Sequence, residues 1–454
     1  MINPMTLQLN DQQQSAISRM SQFIEAGDEQ FFTLVGPAGT GKTTTIQHLI
    51  KSLPADTKIC FTAPTNKAVR VLYKMTLNNG IDVPCLTIFS LLGLRVTMQK
   101  DKEVIKGGGK NNLDKYDVVV IDEASMVNTE LLGYIHRAVN ACDTVIIFMG
   151  DKCQLPPVGE ADSAVFAINN RAELTKVMRQ RSENPVLGLC TDIRHGIEDG
   201  SLTLPNVRPL QNDAGDMGVH VMSGQIFMQW MPSAFSTENF DKNYDRFRVV
   251  AWRNKRVDAY NKQIQALRYP GLTTPFAPGE PVIFSSPLHR LSTRADYDFN
   301  ESVFAGWDDI ICSTESEGVI AGITQAEPFD AWIEGEQFYL TRYVITCDML
   351  SGEEPTVSCV VTAEKDRLKQ MLDKIARSAA GSGTHTWFQF WLLNKYFADV
   401  RPAYAMTSHK SQGSTFENVF VDAEDILANP NREEALRCLY VAVSRASHNV
   451  IVNI

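Results

Sequence analysis

The chain lacks any long hydrophobic run: no stretch of its 454 residues approaches the roughly 18 to 20 apolar residues that a membrane span requires. The amino terminus, MINPMTLQLNDQQQ, lacks the basic-then-apolar pattern of a secretory leader, so export is not expected. No C-x-x-C pair occurs, and the nine cysteines are scattered and odd in number, which indicates neither a disulfide framework nor a zinc motif. They read as reduced core thiols of a cytoplasm, the host's if the chain is viral. Positive charge is scarce as well. With 43 Lys and Arg against 53 Asp and Glu the net charge is −10, which argues against coating nucleic acid through bulk attraction and leaves room for a local basic track. Repeats are missing, and so is low complexity beyond one triple glycine. What remains, 44% hydrophobic and 21% charged, describes a soluble globular chain. Its length suits about three domains.

The first positive signal is GPAGTGKT, Gly36 to Thr43, between the apolar run Phe31 to Val35 and the helix-compatible TTIQHLIKSL. Strand, glycine-rich loop and helix are the context of a phosphate-binding loop. Its backbone N–H groups and the positive helix end hold a triphosphate before any side chain is counted. Gly36, Pro37, Ala38, Gly39, Thr40, Gly41 and Thr44 complete the cradle; Lys42 is expected to reach the β and γ phosphates and Thr43 to hold Mg²⁺. ATP and Mg²⁺ are therefore the expected ligands. VVVIDEAS ends a second strand with adjacent carboxylates, Asp122 for the metal and Glu123 as candidate general base. MGDKCQLPPV puts Asp151 and Gln154 past another strand end, where an amide can sense a γ-phosphate.

From residue 31 to about 150, FFTLV, KICFTAP, YDVVVIDEAS and DTVIIFMGD alternate with helical stretches. Such near-continuous apolar strands indicate a parallel α/β sheet covered on both faces, with functional residues at the strand ends. FRVVAWRN, AYAMTSHKSQG, NVFVDA and HNVIVNI form a second set of the same type. The polar segment 95–113, with Lys100, Lys102, Lys106 and Lys110 around Gly107 to Gly109, reads as an inserted hairpin or loop. Residues from about 280 to 400 alternate short β-prone runs with turns and then a helix, KDRLKQMLDKIARSA, as a small mixed insertion does. The expected division is 1–94 and 114–180 for a first lobe, 181–280 and 401–454 for a second, and 281–400 for the insertion.

GPAGTGKT, APTNKAV, LTIFSLLG, VVIDEASM, GDKCQLPPV, AMTSHKSQGSTFENV and LYVAVSRAS follow one another as in the superfamily 1 helicases. Within these the chain resembles the RecD-like branch, in the compact Dda-type form of T-even phages, over nearly its whole length. The resemblance implies two RecA-like P-loop lobes, a pin at 95–113 and an SH3-like insertion in the second lobe. It implies that Gln13 selects adenine, with Asn10 and Gln12 beside it, that Gly413 lines the nucleotide, and that Arg179 and Arg445 reach the γ-phosphate. Permanently charged planar guanidinium groups suit that task. DNA contacts are implied at Pro64, Thr65, Phe89, Thr407, His409 and Lys410, where amides, hydroxyls and a few rings grip one strand. Phe89 reads equally as a core aromatic, and His409 also fits a structural histidine. Trp252 and Arg253 are weaker strand-contact candidates, and most of Trp387, Phe388, Phe390 and Trp391 read as core.

The activity implied is ATP-driven translocation on single-stranded DNA, 5′-to-3′, with separation of forked or tailed duplex DNA. Closing on ATP and reopening after hydrolysis would ratchet the strand. A monomer is expected, with a single-strand-binding protein or replisome component as possible partner and no membrane. Two alternatives are an RNA helicase of a related branch and an ATP-driven remodelling subunit or switch that does not unwind.

Overall fold

A computed structural model describes residues 9–99, 102–177, 184–289, 310–312, 314–333, 336–350, 352–360, 364–382, 387, 390 and 393–454. The chain packs as two compact units, one of residues 1–228, 245–256 and 406–454, the other of 229–244 and 257–405.

The first unit holds two six-stranded sheets. In the first sheet the order is Cys85–Thr87, Ile59–Ala63, Val118–Ile121, Val145–Gly150, Phe31–Val35, Arg171–Glu173, every pairing parallel. The apolar runs give this sheet two buried faces: Val118 and Val120 enter one core cluster, and their neighbours Val119 and Ile121 enter the other. Period-two side chains thus serve both faces, and the flanking helices supply the cover. Short polar residues start those helices, Asn10 through a capping box with Gln13, and Thr65 and Asn128 each by accepting a backbone N–H; Asn184 and Asn431 do the same for helices that pack on the second sheet.

The second sheet runs Ala405–Thr407, Phe247–Ala251, Phe416–Val421, Ala446–Asn453, Gly218–Met222, Leu210–Gln211. Phe247–Ala251, Phe416–Val421, Ala446–Asn453 and Gly218–Met222 pair in parallel, and Leu210–Gln211 closes the edge antiparallel. Both sheets match the RecA-like α/β expectation.

Between the lobe elements, Leu94–Gln99 and Lys102–Gly107 form an antiparallel hairpin whose register runs from Leu94 opposite Gly107 to Gln99 opposite Lys102. Its base crosses tightly. Gly109 N–H donates to Gly93 O at 2.9 Å, and a Cβ on Gly93 would lie 2.5 Å from Gly109 C. Part of the triple glycine is therefore a close backbone crossing rather than a free surface turn. Tyr134 Oη donates to Ile105 O at 2.8 Å, tying the hairpin to the helix Thr129–Val139. Lys100 lies outside the described residues.

The second unit contains a five-stranded antiparallel sheet, ordered Thr356–Val360, Arg342–Met349, Glu317–Gln325, Pro281–Phe284, Val400–Pro402. A hairpin of Phe329–Ile333 and Glu336–Leu340 packs its Phe329, Ala331 and Leu340 face against Met371 and Ile375 of the helix Lys365–Ser382. Residues 257–280, expected in the second lobe, pack here. The physical reason is the buried Glu280 carboxylate, which accepts from Gln265 Nε2, the Ala277 N–H and Tyr404 Oη at 2.9 to 3.1 Å. In ICSTESEGVI the turn before Glu317–Gln325 places Glu315 at φ 66°, a left-handed conformation that a side chain makes costly. Phe390, partly buried, packs against the helix cluster, and Trp387 meets the Phe390 ring edge-on; Phe388 and Trp391 lie outside the described residues.

Candidate active site and strand-facing loops

Val35 hands the chain to the phosphate loop at the carboxyl end of its strand, where Gly36 N–H donates to Gly150 O at 3.1 Å. A Cβ at Gly36 would sit 2.6 Å from Leu174 O, so this position admits only glycine. Gly39 and Gly41 take φ 80° and 79°, and Gly41 caps the helix Lys42–Ser52. Lys42 Nζ donates to Gly36 O at 2.6 Å and Pro37 O at 3.1 Å, so the ammonium lies within the loop and its bonds are available for exchange with an anion. Thr40 Oγ1 braces the loop from within by donating to Pro37 O, and Thr45 Oγ1 donates to Gly41 O. Thr43 and Thr44 sit half-buried on the first helical turn. Glycine cradle, helix start and a cation fit a triphosphate.

Gln13 is buried. Its amide donates to Thr40 O at 3.1 Å and accepts from the Asn10 N–H at 3.0 Å, so it supports the phosphate loop from behind. Gln12 clamps the strand exit instead: its Oε1 accepts from the N–H groups of Thr175 and Lys176, each at 3.0 Å.

Asp122 and Glu123 follow Val118–Ile121. Burial, and then the charge of Glu123, push the Asp122 carboxyl up to about 7, although Lys42 and Arg445 pull the other way. A divalent cation beside Asp122 would restore the carboxylate. Glu123 adopts φ 53°, a left-handed conformation for a non-glycine residue of the kind that gathers at functional sites. Gln154 is buried and accepts a 3.5 Å bond from Ser125 Oγ, next to this pair.

Arg445, at the end of the helix Arg432–Ser444, comes from the other sheet. Its guanidinium donates to Ser414 O, Val441 O and Ser444 Oγ, and Nη1 lies 3.9 Å from Glu123 Oε1. Gly413, at φ 69°, brings the same loop against the first lobe: a Cβ there would be 2.8 Å from Ala68 Cβ and 3.6 Å from Glu123 Cγ. Glu123, the glycine loop and Arg445 therefore converge from both lobes. Arg179 lies outside the described residues.

Sequence reasoning missed the connection holding the lobes together. Asp151 is 1% exposed; its Oδ1 meets Arg194 Nη1 at 2.5 Å and its Oδ2 accepts from Tyr440 Oη. The same Tyr440 hydroxyl accepts a 3.5 Å bond from the Ala38 N–H of the phosphate loop. Arg437 donates to Lys152 O and Gln154 O, and Gln412 donates to Leu155 O. Tyr440 sits inside LYVAVSRAS, three residues beyond Arg437 and hence on the same helix face, which was a usable signal. Arg194 gave only that of a cation within the apolar helix Pro185–Glu198.

The strand-facing candidates divide. Thr65 accepts from the Ala68 N–H as a helix cap, and Pro64 beside it is half-buried. Phe89 is half-buried against the core of the first sheet. Thr407 is buried and its hydroxyl accepts from the Lys410 N–H at 3.3 Å, shaping the loop. His409 Nε2 lies 3.8 Å from Glu434 Oε1, and burial lowers the imidazole pKa. Arg253 is held by Asp425 at 2.5 Å, and the Trp252 N–H donates to the same carboxylate.

This fold and site define a P-loop nucleoside triphosphatase with two RecA-like lobes. A family model described as an AAA domain matches residues 8–204, and one described as a UvrD-like helicase C-terminal domain matches 402–453. The chain is 26% identical to the uncharacterized protein R530 of Acanthamoeba polyphaga mimivirus, over 97% of this chain and 99% of that protein. It is 24% identical to the ATP-dependent DNA helicase dda of Enterobacteria phage T4, over 92% and 93%. Among solved structures, Pif1 helicases at forked DNA align over 99% of this chain and 92% of theirs, with 17% identity and a TM-score of 0.48. These matches support a superfamily 1 helicase related to Dda. No helix among the described residues is long and apolar enough to cross a membrane.

Proposed function

We infer that this chain is an ATP-dependent DNA helicase that moves 5′-to-3′ on single-stranded DNA and opens forked or tailed duplexes. The observation that carries the reading is Arg445 reaching Glu123 from the opposite lobe, at 3.9 Å. An arginine so placed can stabilise charge on a transferring phosphoryl group, an effect worth about 10³ to 10⁵ in rate in related triphosphatases. Thr43 and Asp122 would hold Mg²⁺, which neutralises developing phosphate charge when bound. Glu123 would take the proton of the attacking water, Lys42 would exchange its loop carbonyls for phosphate oxygens, and Gln154 would report occupancy. Gln13 would select the adenine, and Arg179 would join Arg445.

Because the nucleotide groups sit on both lobes, turnover would open and close the gap between them. The loops with Pro64, Thr65, Phe89, Thr407, His409 and Lys410 would pass that motion to the strand. In this reading the hairpin Leu94–Gln99 with Lys102–Gly107 is the separating pin, and the antiparallel unit is an SH3-like brace for DNA.

The deciding experiment is steady-state ATP hydrolysis with and without single-stranded DNA, beside unwinding of duplexes with a 5′ or a 3′ tail. Stimulation with unwinding from the 5′ tail alone supports the whole reading. Stimulation without unwinding from either tail replaces it with an ATP-driven switch, and equal tolerance of a 2′-hydroxylated tracking strand would favour RNA.

A further inference from the structure

Outside the nucleotide site, three side chains of metal-ligating type meet in the first unit. A His409 ring nitrogen, a Glu434 carboxylate oxygen and Cys438 Sγ all lie within 4.8 Å of one another. Glu434 and Cys438 are four residues apart on the helix Arg432–Ser444, which sets both on one face, and His409 faces them from the turn His409–Ser411. His409 and Glu434 are each a little over one-third exposed, so a solvated ion has an approach; Cys438 lies at the buried end. The Ser408 hydroxyl is the further polar group at the thiol.

We propose that His409, Glu434 and Cys438 form a site for a thiophilic divalent cation of the Zn²⁺ class. Imidazole, carboxylate and thiolate are the donors Zn²⁺ takes, whereas Mg²⁺ prefers oxygen alone and retains its water. Bonds of about 2.0 to 2.3 Å require the three donor atoms to close to roughly 3.3 to 3.8 Å. The His409–Glu434 separation of 3.8 Å already meets this, and the sulfur has to close from within 4.8 Å of the other two donors. The Cys438 S–H bond breaks as its sulfur–metal bond forms, and the proton leaves to solvent. Water would take the fourth position. Occupancy would brace the turn bearing His409 and Lys410 against the helix that ends at Arg445. The site does not depend on the helicase reading, since it needs neither nucleotide nor DNA.

The test titrates the full chain, reduced and metal-free, with Zn²⁺ against a chromophoric chelator and with Co²⁺ while following thiolate-to-metal absorption, all in millimolar Mg²⁺. Wild type should bind one equivalent with a thiolate–cobalt band and melt at a higher temperature with Zn²⁺. Cys438→Ser should lose the band and the melting shift, and Glu434→Gln should weaken Zn²⁺ binding about tenfold or more. Urea midpoints of both metal-free variants establish that they fold. Binding unchanged in folded Cys438→Ser would overturn the site, as would its loss in Cys60→Ser instead, or displacement by Mg²⁺.

Discussion

Replacing Tyr440 with phenylalanine removes one hydroxyl and leaves the ring, so no cavity term enters. That hydroxyl donates to the buried Asp151 carboxylate and accepts from the Ala38 N–H. A hydrogen bond to a charged group contributes about 1.5 to 3 kcal/mol, and the abandoned carboxylate oxygen stays buried without it. Arg194 still holds the other oxygen at 2.5 Å, which keeps the loss below the roughly 3 to 5 kcal/mol expected when a buried charge loses its only partner. The expected destabilisation is therefore about 2 kcal/mol, read from urea unfolding as a lower midpoint at unchanged slope. Asp151→Asn should cost more, because it weakens both contacts and leaves the buried Arg194 to its ion pair with Glu198. In that background Tyr440→Phe should lose at least half its effect, since the two groups share one interaction. A Tyr440→Phe midpoint within about 0.5 kcal/mol of wild type would refute the claim that this hydroxyl clasps the lobes.

Other consequences are equally direct. Lys42→Ala and Glu123→Gln should each abolish most ATP turnover, with Glu123→Gln still binding ATP in a fluorescent-nucleotide assay; loss of binding there would remove the base assignment. Deleting 102–110 should stop strand separation while sparing DNA-stimulated hydrolysis, and persistent unwinding would end the pin reading. Gly413→Ala should reduce kcat, because a methyl group must fit at φ 69° and 2.8 Å from Ala68 Cβ; an unchanged kcat would show that the loop relaxes at no cost. Burial raises the Asp399 pKa, but Lys365 and Arg401 outweigh it and the net shift is downward. A depressed carboxylate stabilises the fold above its unfolded value and loses that contribution as pH falls through its folded value. Wild type should thus exceed Asp399→Asn in thermal stability at neutral pH, and the gap should close below about pH 4.

Much of this was legible because it is local. A strand, a glycine loop and a helix are contiguous, so GPAGTGKT declared both its fold and its ligand, and VVVID gave the strand that positions Asp122. Buried parallel strands are apolar on both faces, which is why the order of runs revealed two sheets. The clasp was not legible, because Asp151, Arg194 and Tyr440 are brought together from three distant segments and each is unremarkable where it stands. Gln13 shows the same limit: the resemblance implied a role at the adenine, while its contact with Thr40 O is a property of the fold. The division near 257–280 depended on Glu280 meeting Tyr404, a pairing that no periodicity announces.

Several of the inter-lobe bonds end on main-chain oxygens, those of Lys152, Gln154 and Leu155. Every residue type presents the same carbonyl. Drift at 152 can therefore proceed without altering these bonds, while the side chains of Gln412 and Arg437 carry their constraint. In a lineage of such chains, variation would accumulate on the accepting side and not on the donating one, an asymmetry that an alignment of descendants could record.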